Sequence, residues 1–388
     1  MTRIIAYYLP QYYPIPENDE WWGPGFTEWT NVSTARPLFR GHDQPRVPAD
    51  LGFYDLRLEQ TRLDQAEMAR QYGVEGFCYY HYWFGGGRVL LERPFDEVLN
   101  SGRPDFPFCL CWANHSWTSR TWQARSALAT NSMLIEQTYP GLEDHVAHFQ
   151  AVLPAFRDSR YIRVDGLPLF VVYDPLAVPD VDIFLRLWRK MAIESGLPGI
   201  HFVGIVSSAS TVSRGRSGRF NRTIPNLNKP SAEYLRVLQR GFDAVNSNGR
   251  VRAEMLAGGQ ALWWAKALLR KTQSVAVKYD HAQVLRHFYV AEDSWENVYP
   301  TILPQWDRSP RSGRADGIHV GSTPELFEDH VGEAVRIVGE KSAEHQIVFL
   351  KAWNEWGEGD YVEPDRQFGR GYLEALRRGL VQGRSVSR

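Results

Sequence analysis

Glu355 and Glu358 stand three positions apart in the run Trp353-Asn354-Glu355-Trp356-Gly357-Glu358-Gly359. The run follows directly on the apolar stretch Ile347-Val348-Phe349-Leu350, which reads as a buried strand closed by a glycine-rich turn. Both carboxyls then fall at the C-terminal end of that strand, among tryptophans. Two carboxyl groups held close together, one protonated and one ionised, are what cleavage of a glycosidic bond with retention requires. Neighbouring aromatic rings suit the apolar face of a sugar. An arbitrary E-x-x-E is usually a solvated acidic turn; the flanking Asn and Trp residues argue against that here.

The elements that must position this pair recur along the chain. Short apolar runs at Ile4–Tyr8, Gly76–Tyr80, Phe108–Trp112, Leu169–Tyr173, His201–Val206, Gly241–Val245, Thr301–Gln305 and Ile347–Ala352 read as strands. Helical periods fall between them or close the chain, at Leu58–Gln71, Asp182–Ser195, Pro324–Gly339 and Gly371–Leu380. Strands alternating with helices predict an α/β chain with a parallel sheet. Eight such units predict a closed (β/α)8 TIM-type barrel, as a single domain over residues 1–388. It would carry long βα loops and an insertion, Arg250–Lys278, between strands six and seven. A doubly wound open sheet is the alternative, but no G-x-G-x-x-G follows the first strand and there is no P-loop.

In such barrels chemistry sits at the C-terminal ends of the strands, and those ends carry polar and aromatic groups here. Strand one leads through Tyr8 to Gln11, and strand two to His81, Tyr82 and Trp83. Strand three gives Trp112, Asn114 and His115, and strand four gives Tyr173 and Asp174. Strand seven leads to Trp306, Asp307, Arg308 and Arg311, and strand eight to Asn354 and Trp356 beside the two glutamates. The segment Pro14–Asp50 is too long for an ordinary connection and brings Trp22, Glu28 and Trp29; long loops of this kind are usually lids or binding loops. At least three of Trp22, Trp29, Trp83, Trp112, Trp117 and Trp356 are expected to line one cleft. His81 and His115 serve equally well as structural hydrogen-bond partners, and Asp174 before Pro175 as a turn cap. Arg308 and Arg311, with Arg214, Arg216, Arg219, Arg222 and Lys229 in the loop after strand five, predict a basic rim that reads an anionic group, because arginine forks suit phosphate and carboxylate.

Composition narrows the partners. The 44 Lys and Arg balance 45 Asp and Glu, so no global charge points to nucleic acid or a membrane surface. Three cysteines within apolar runs give no disulfide framework. No Cys/His spacing suggests zinc, and neither a metal nor an organic cofactor is expected. No apolar stretch approaches the roughly 20 residues that span a bilayer, and the N-terminus enters a strand without an apolar leader, so a cytoplasmic location is expected. Leu262-Trp263-Trp264 with Lys266, Arg270, Lys271 and Lys278 predicts a packed helix with a basic face, an interfacial helix being the alternative.

Several long motifs resemble the WbsX-type proteins of bacterial O-antigen clusters, a group similar to glycoside hydrolase family 99. They are Ala6-Tyr7-Tyr8-Leu9-Pro10-Gln11-Tyr12, Gly25-Phe26-Thr27-Glu28-Trp29-Thr30-Asn31, Gly76-Phe77-Cys78-Tyr79-Tyr80-His81-Tyr82-Trp83, Cys111-Trp112-Ala113-Asn114-His115-Ser116-Trp117, Trp306-Asp307-Arg308-Ser309-Pro310-Arg311 and the Trp353–Gly359 run. The resemblance covers nearly the whole chain. It implies a (β/α)8 barrel and a retaining site acting on an oligosaccharide or polysaccharide, to which the expected basic rim adds an anionic or lipid-linked substrate. It further implies that Glu355 acts as base on the sugar's own 2-hydroxyl, giving an anhydro-sugar intermediate, and that Glu358 is the acid/base at the glycosidic oxygen. Proteins of this type are also labelled glycosyltransferases, so a transferase of lipopolysaccharide or O-antigen synthesis remains an alternative, as does a silent carbohydrate-binding barrel.

Overall fold

In the computed structural model, eight parallel strands close on themselves. The structure describes residues 2–119, 132–207, 212–214, 220–222, 231–259, 263, 265–266, 268–269, 275–314 and 316–385. The barrel strands are β1 (Arg3–Tyr8), β2 (Gly76–Trp83), β3 (Phe108–Trp112), β4 (Leu167–Val172), β5 (His201–Ser207), β6 (Ala244–Asn248), β7 (Val298–Ile302) and β8 (Ile347–Leu350). Each pairs in parallel with its neighbours. The ring closes where Arg3 to Ala6 of β1 meet Ile347 to Leu350 of β8. Nearly every strand residue is buried, as expected of a parallel sheet covered on both faces.

Alternation along the strands sorts side chains between two cores. Tyr7 points into the barrel, where its ring lies 5.5 Å from Tyr80 and 5.1 Å from Phe349. Tyr8 points outward, its hydroxyl donating to Gln65 Oε1 (2.6 Å) on helix Glu59–Gln71. Outer helices Leu142–Arg157, Val181–Glu194, Pro324–Val338 and Gly371–Ser385 cover the same outer face. Cys78, Cys109 and Cys111 are buried and unpaired.

Three strands depart most, by three residues, from the bounds read in the sequence. β2 runs on to Trp83, because a short hairpin pairs Tyr82 with Leu90 and Trp83 with Val89. β6 begins at Ala244, since Gly241 adopts a left-handed φ of 100° that no strand accommodates. β7 begins at Val298 and takes in Pro300; Asn246 Nδ2 bonds to Tyr299 O (2.8 Å) and Thr301 Oγ1 (3.0 Å) and so holds β6 to β7 around the proline.

Beside the barrel a smaller unit forms from two connections: helix Arg250–Ala257 and strand Val277–Asp280 lie between β6 and β7, and the strand pairs in parallel with Gly317–Val320 of the connection from β7 to β8. It has its own apolar cluster of Ala253, Val277, Tyr279, Val284, Phe288, Leu303 and Trp306. Arg270, Lys271 and Trp264 of the basic insertion lie outside the described residues. Lys266 Nζ donates to Lys278 O (2.8 Å) and faces the Tyr279 ring. Among the described residues no helix is long and apolar enough to cross a membrane.

Candidate active site

The turn after β8 is fixed from below by three sets of contacts. Asn354 Oδ1 accepts from Leu9 N (2.8 Å) and its Nδ2 donates to Leu9 O (3.0 Å), sewing the turn to the end of β1. The Trp356 ring stacks on Tyr361 at 3.7 Å, and its Nε1 donates to Glu363 (2.7 Å). Glu363 also accepts from Tyr54 (2.9 Å) and Gln65 (2.7 Å). With Asn354 and Trp356 turned inward to these anchors, Glu355 and Glu358 are left facing the mouth of the barrel.

One carboxyl oxygen of each glutamate and one of Asp360 come within 4.8 Å of one another. Cations stand among them. Arg311 Nη1 lies 3.0 Å from Glu355 and 2.8 Å from Glu358, and its Nε lies 2.9 Å from Glu28. Arg308 Nε lies 2.9 Å from Glu358, and Lys351 Nζ sits 3.8 Å from Glu355 and 3.2 Å from Asp360. A divalent ion could also use this oxygen spacing, but the Arg311 and Lys351 cations already serve these carboxylates.

The charges settle differently on each acid. Burial alone would raise the Glu358 carboxyl, but Arg311, Arg308, Lys351 and Arg250 overcome it and hold the group ionised at about 2. Burial dominates at Asp360 and pushes it up to about 8 despite Lys351. Burial also raises Glu28, with Arg311 opposing. His115 is kept neutral by burial, at about 4.

Two lobes, each about 130 Å³, meet at this cluster. One is lined by Tyr80, Tyr82, His115, Tyr173, Arg308, Arg311, Lys351, Glu355 and Glu358. The other shares Tyr80, Tyr173, Lys351 and Glu358 and adds Tyr7, Asp174, Ser207, Asn246, Asn248, Arg250, Thr301 and Trp306. The shared residues make one continuous cleft at the C-terminal ends of the strands, where barrels of this class place chemistry.

The profile of the family described as Glycosyltransferase WbsX matches residues 4–376. The chain belongs to the WbsX family. A protein named WxcX from Xanthomonas campestris pv. campestris (strain ATCC 33913) is 36% identical over 391 residues, covering 100% of this chain and 50% of that protein. WxcX of strain B100 is 35% identical with the same coverage. The chain thus spans about half the length of these curated relatives. Among solved structures, a glycoside hydrolase-like protein superposes with a TM-score of 0.54 at 15% identity, over 98% of this chain and 94% of that one. The GH99 endo-α-mannosidase from Bacteroides thetaiotaomicron, in complex with Bis-Tris-propane, gives 0.54 at 14% identity, over 99% and 98%. This WbsX-family chain shares the barrel fold of those two structures over nearly its whole length.

Not every residue marked in the WbsX-type motifs reaches the cleft. Tyr82, His115, Tyr173, Trp306, Arg308, Arg311, Glu355 and Glu358 line it, and Glu28 touches it through Arg311. None of the six tryptophans expected to form a wall does. Trp83 and Trp112 lie outside the barrel against His148, with Trp83 Nε1 on Asp144 and Trp112 Nε1 on Trp83 O. Trp29 packs among Tyr12, Tyr54 and Trp356, Trp117 against Tyr82 and Phe84, and Trp22 on Phe26. The cleft's rings are instead Tyr7, Tyr80, Tyr82, Tyr173 and Trp306.

Other placements follow from the same geometry. His81 faces outward, 3.0 Å from His148 Nε2; because β2 continues to Trp83, alternation sends Tyr80 and Tyr82 inward and His81 and Trp83 outward. Tyr8 is outside for the same reason. Gln11 is fully buried beneath the lid, its backbone carbonyl accepting from Glu28 N. Asn114 bonds to Tyr139 and to the Asp174 backbone, joining two loops. Asp307 binds His42 (2.8 Å) and Gln44 (2.6 Å), which lower its pKa against the effect of burial and anchor the long first loop. Arg308 and Arg311 meet protein carboxylates, Arg308 also reaching Asp316 at 2.9 Å, so they do not form the expected open basic rim. Arg216, Arg219 and Lys229 lie outside the described residues, as do the side chains of Arg214 and Arg222. Sequence reading missed Tyr7, Tyr80, Lys351 and Asp360. The signal for Lys351 was parity: it continues the inward series from Phe349.

Proposed function

We propose that this chain is a retaining enzyme acting on a bacterial polysaccharide or O-antigen-type oligosaccharide, with Glu355 and Glu358 as its working pair. The observation that carries the reading is the separation of their carboxyl oxygens, within 4.8 Å in one cleft. That is well short of the roughly 6.5–9.5 Å that inverting enzymes need for an intervening water.

In this reading the Glu355 carboxylate takes the proton of the sugar's 2-hydroxyl. The freed oxygen attacks C1 and closes a 1,2-anhydro ring, while the C1–oxygen bond to the leaving sugar breaks and that oxygen receives a proton from Glu358. In the second half, water or an acceptor hydroxyl gives its proton to Glu358 and attacks C1, and O2 recovers its proton from Glu355. The ionised state of Glu358 suits the second half directly; the first half requires a proton to be brought to it. Tyr80, Tyr82 and Tyr173 supply rings and hydroxyls for the sugar.

The family's description favours a second reading, transfer from a nucleotide sugar. A nucleoside diphosphate would have to displace Glu28, Glu355 or Glu358 to reach Arg308 and Arg311. A screen against O-antigen and capsular glycans, with Glu355→Gln and Glu358→Gln as controls, separates the readings. Turnover lost in both variants supports the retaining pair. Calorimetric binding of a nucleotide sugar without glycan turnover supports transfer, and glycan binding without turnover in wild type and Glu355→Gln alike would mean a silent barrel.

A further inference from the structure

Asp360 is a carboxyl that the two-glutamate reading leaves without a task. Its side chain is fully buried, and neither oxygen has a hydrogen-bond partner. Its one ion pair is with Lys351 Nζ, 3.2 Å from Oδ2, and Lys351 is shared with Glu355. Where carboxyl oxygens lie within 4.8 Å of one another, like charge raises the proton affinity of the member least served by cations. The proton settles where cations are fewest. Glu358 has two guanidiniums at 2.8 and 2.9 Å, and Glu355 has Arg311 at 3.0 Å as well as Lys351.

We propose that Asp360 holds the resting proton of this cluster and passes it to Glu358 for the acid step, as a positioning residue for that glutamate. The delivery step rests on the retaining reading above; the location of the proton does not. Transfer converts an Asp360 carboxyl and a Glu358 carboxylate into an Asp360 carboxylate and a Glu358 carboxyl. The charge left on Asp360 falls beside the Lys351 ammonium. The gap is bridged by one hydroxyl, of water or substrate, making two ordinary hydrogen bonds. The proton then leaves on the departing sugar's oxygen, and the acceptor's proton returns by the same path, so no further reactant is needed.

The surroundings agree with this assignment. Around Asp360 stand Lys351 from β8 and Glu355 and Glu358 from its turn. Beyond them are Arg308 and Arg311 from the loop after β7, Arg250 after β6, Glu28 from the first long loop, and Tyr80 and Tyr173. Burial pushes Asp360 to about 8, with Lys351 opposing, while the arginines hold Glu358 at about 2.

Infrared difference spectra of the ligand-free protein at neutral pH test the proton's position without any substrate. The difference between wild type and Asp360→Asn, in which the raised Glu363 carboxyl cancels, should show a protonated-carboxyl band that persists in a Glu358→Gln background and disappears as pH rises through about 8. A band lost in Glu358→Gln and kept in Asp360→Asn overturns the proposal, as does a spectrum that Asp360→Asn leaves unchanged. Delivery is tested by two substrates. Asp360→Asn should slow a glycoside with a sugar leaving group by up to about 10²-fold, the lower end of general acid help, yet slow a glycosyl fluoride, which departs without a proton, far less. Asp360→Glu should recover part of the loss. Equal losses on both substrates would show a merely structural role and overturn delivery. A wild type inactive on every glycan would end the retaining reading while the infrared result still stood.

Discussion

Arg311 Nε lies 2.9 Å from Glu28 Oε1, a contact that spans 283 residues of chain. The same guanidinium reaches Glu355 and Glu358, so a single side chain ties the long first loop to the turn after β8. Removing one partner of a buried ion cluster leaves the rest uncompensated, at a cost of about 3–5 kcal/mol. Arg311→Met should lose stability on that scale in urea unfolding. Arg311→Lys keeps the charge but not the fork, and should lose activity more than stability. A lysine variant with wild-type kcat/KM would show that the fork does not shape the site.

Glu355→Gln and Glu358→Gln should each lower kcat by roughly 10²–10⁴-fold, the usual worth of general acid–base groups. Each change also takes a buried carboxylate partner from Arg311, so melting temperatures should fall, and rates are compared well below them. A modest loss of rate in either variant would remove that residue from the working pair.

Tyr82 and Trp83 are neighbours in β2 with opposite duties. Tyr82→Ala should raise KM as well as lose stability, since the ring lines the cleft and is itself buried. Trp83→Ala should destabilise by about 3–5 kcal/mol, as large buried truncations do, and leave KM alone. Reversed effects would mean that β2 presents the other face to the barrel.

Gly357 sits where a Cβ would overlap the Glu28 carboxylate and fall 2.7 Å from Arg311 Nε. Gly357→Ala should therefore displace Glu28 from Arg311 and lower kcat, although the change is small and lies in a turn. Unchanged kcat in this variant would show that the Glu28–Arg311 contact is dispensable.

Burial raises Glu363 to about 7, with the donors Trp356, Gln65, Tyr54 and Trp353 opposing. The folded protein then holds a proton that the unfolded chain releases above its ordinary carboxyl pKa of 4.5. This group's contribution is complete below that value and is lost as pH rises through about 7. Wild type should melt at progressively lower temperature across that window, whereas Glu363→Gln should give a flatter profile. Parallel profiles would place the pH dependence elsewhere.

The alternation of apolar strands and helical periods determined the barrel, because burying a parallel strand on both faces leaves a continuous apolar run that local sequence displays. The same logic put Glu355 and Glu358 together at the end of β8, since three residues in a tight turn cannot lie far apart. Which aromatic rings enter the cleft depended on where β2 stopped. A strand ending at Trp83 differs from one ending at Tyr80 through pairing of His81 with Trp112 and of Tyr82 and Trp83 with Leu90 and Val89, and alternation then decides the face of every ring. The partners of Arg308 and Arg311 were invisible for a stronger reason. An arginine near a strand end fits an anionic ligand and a protein carboxylate equally well, and the choice was made by Glu28, brought in from the other end of the chain. Local sequence specifies elements because their hydrogen bonds are local; it does not specify charge pairing across hundreds of residues, which exists only once the barrel has closed.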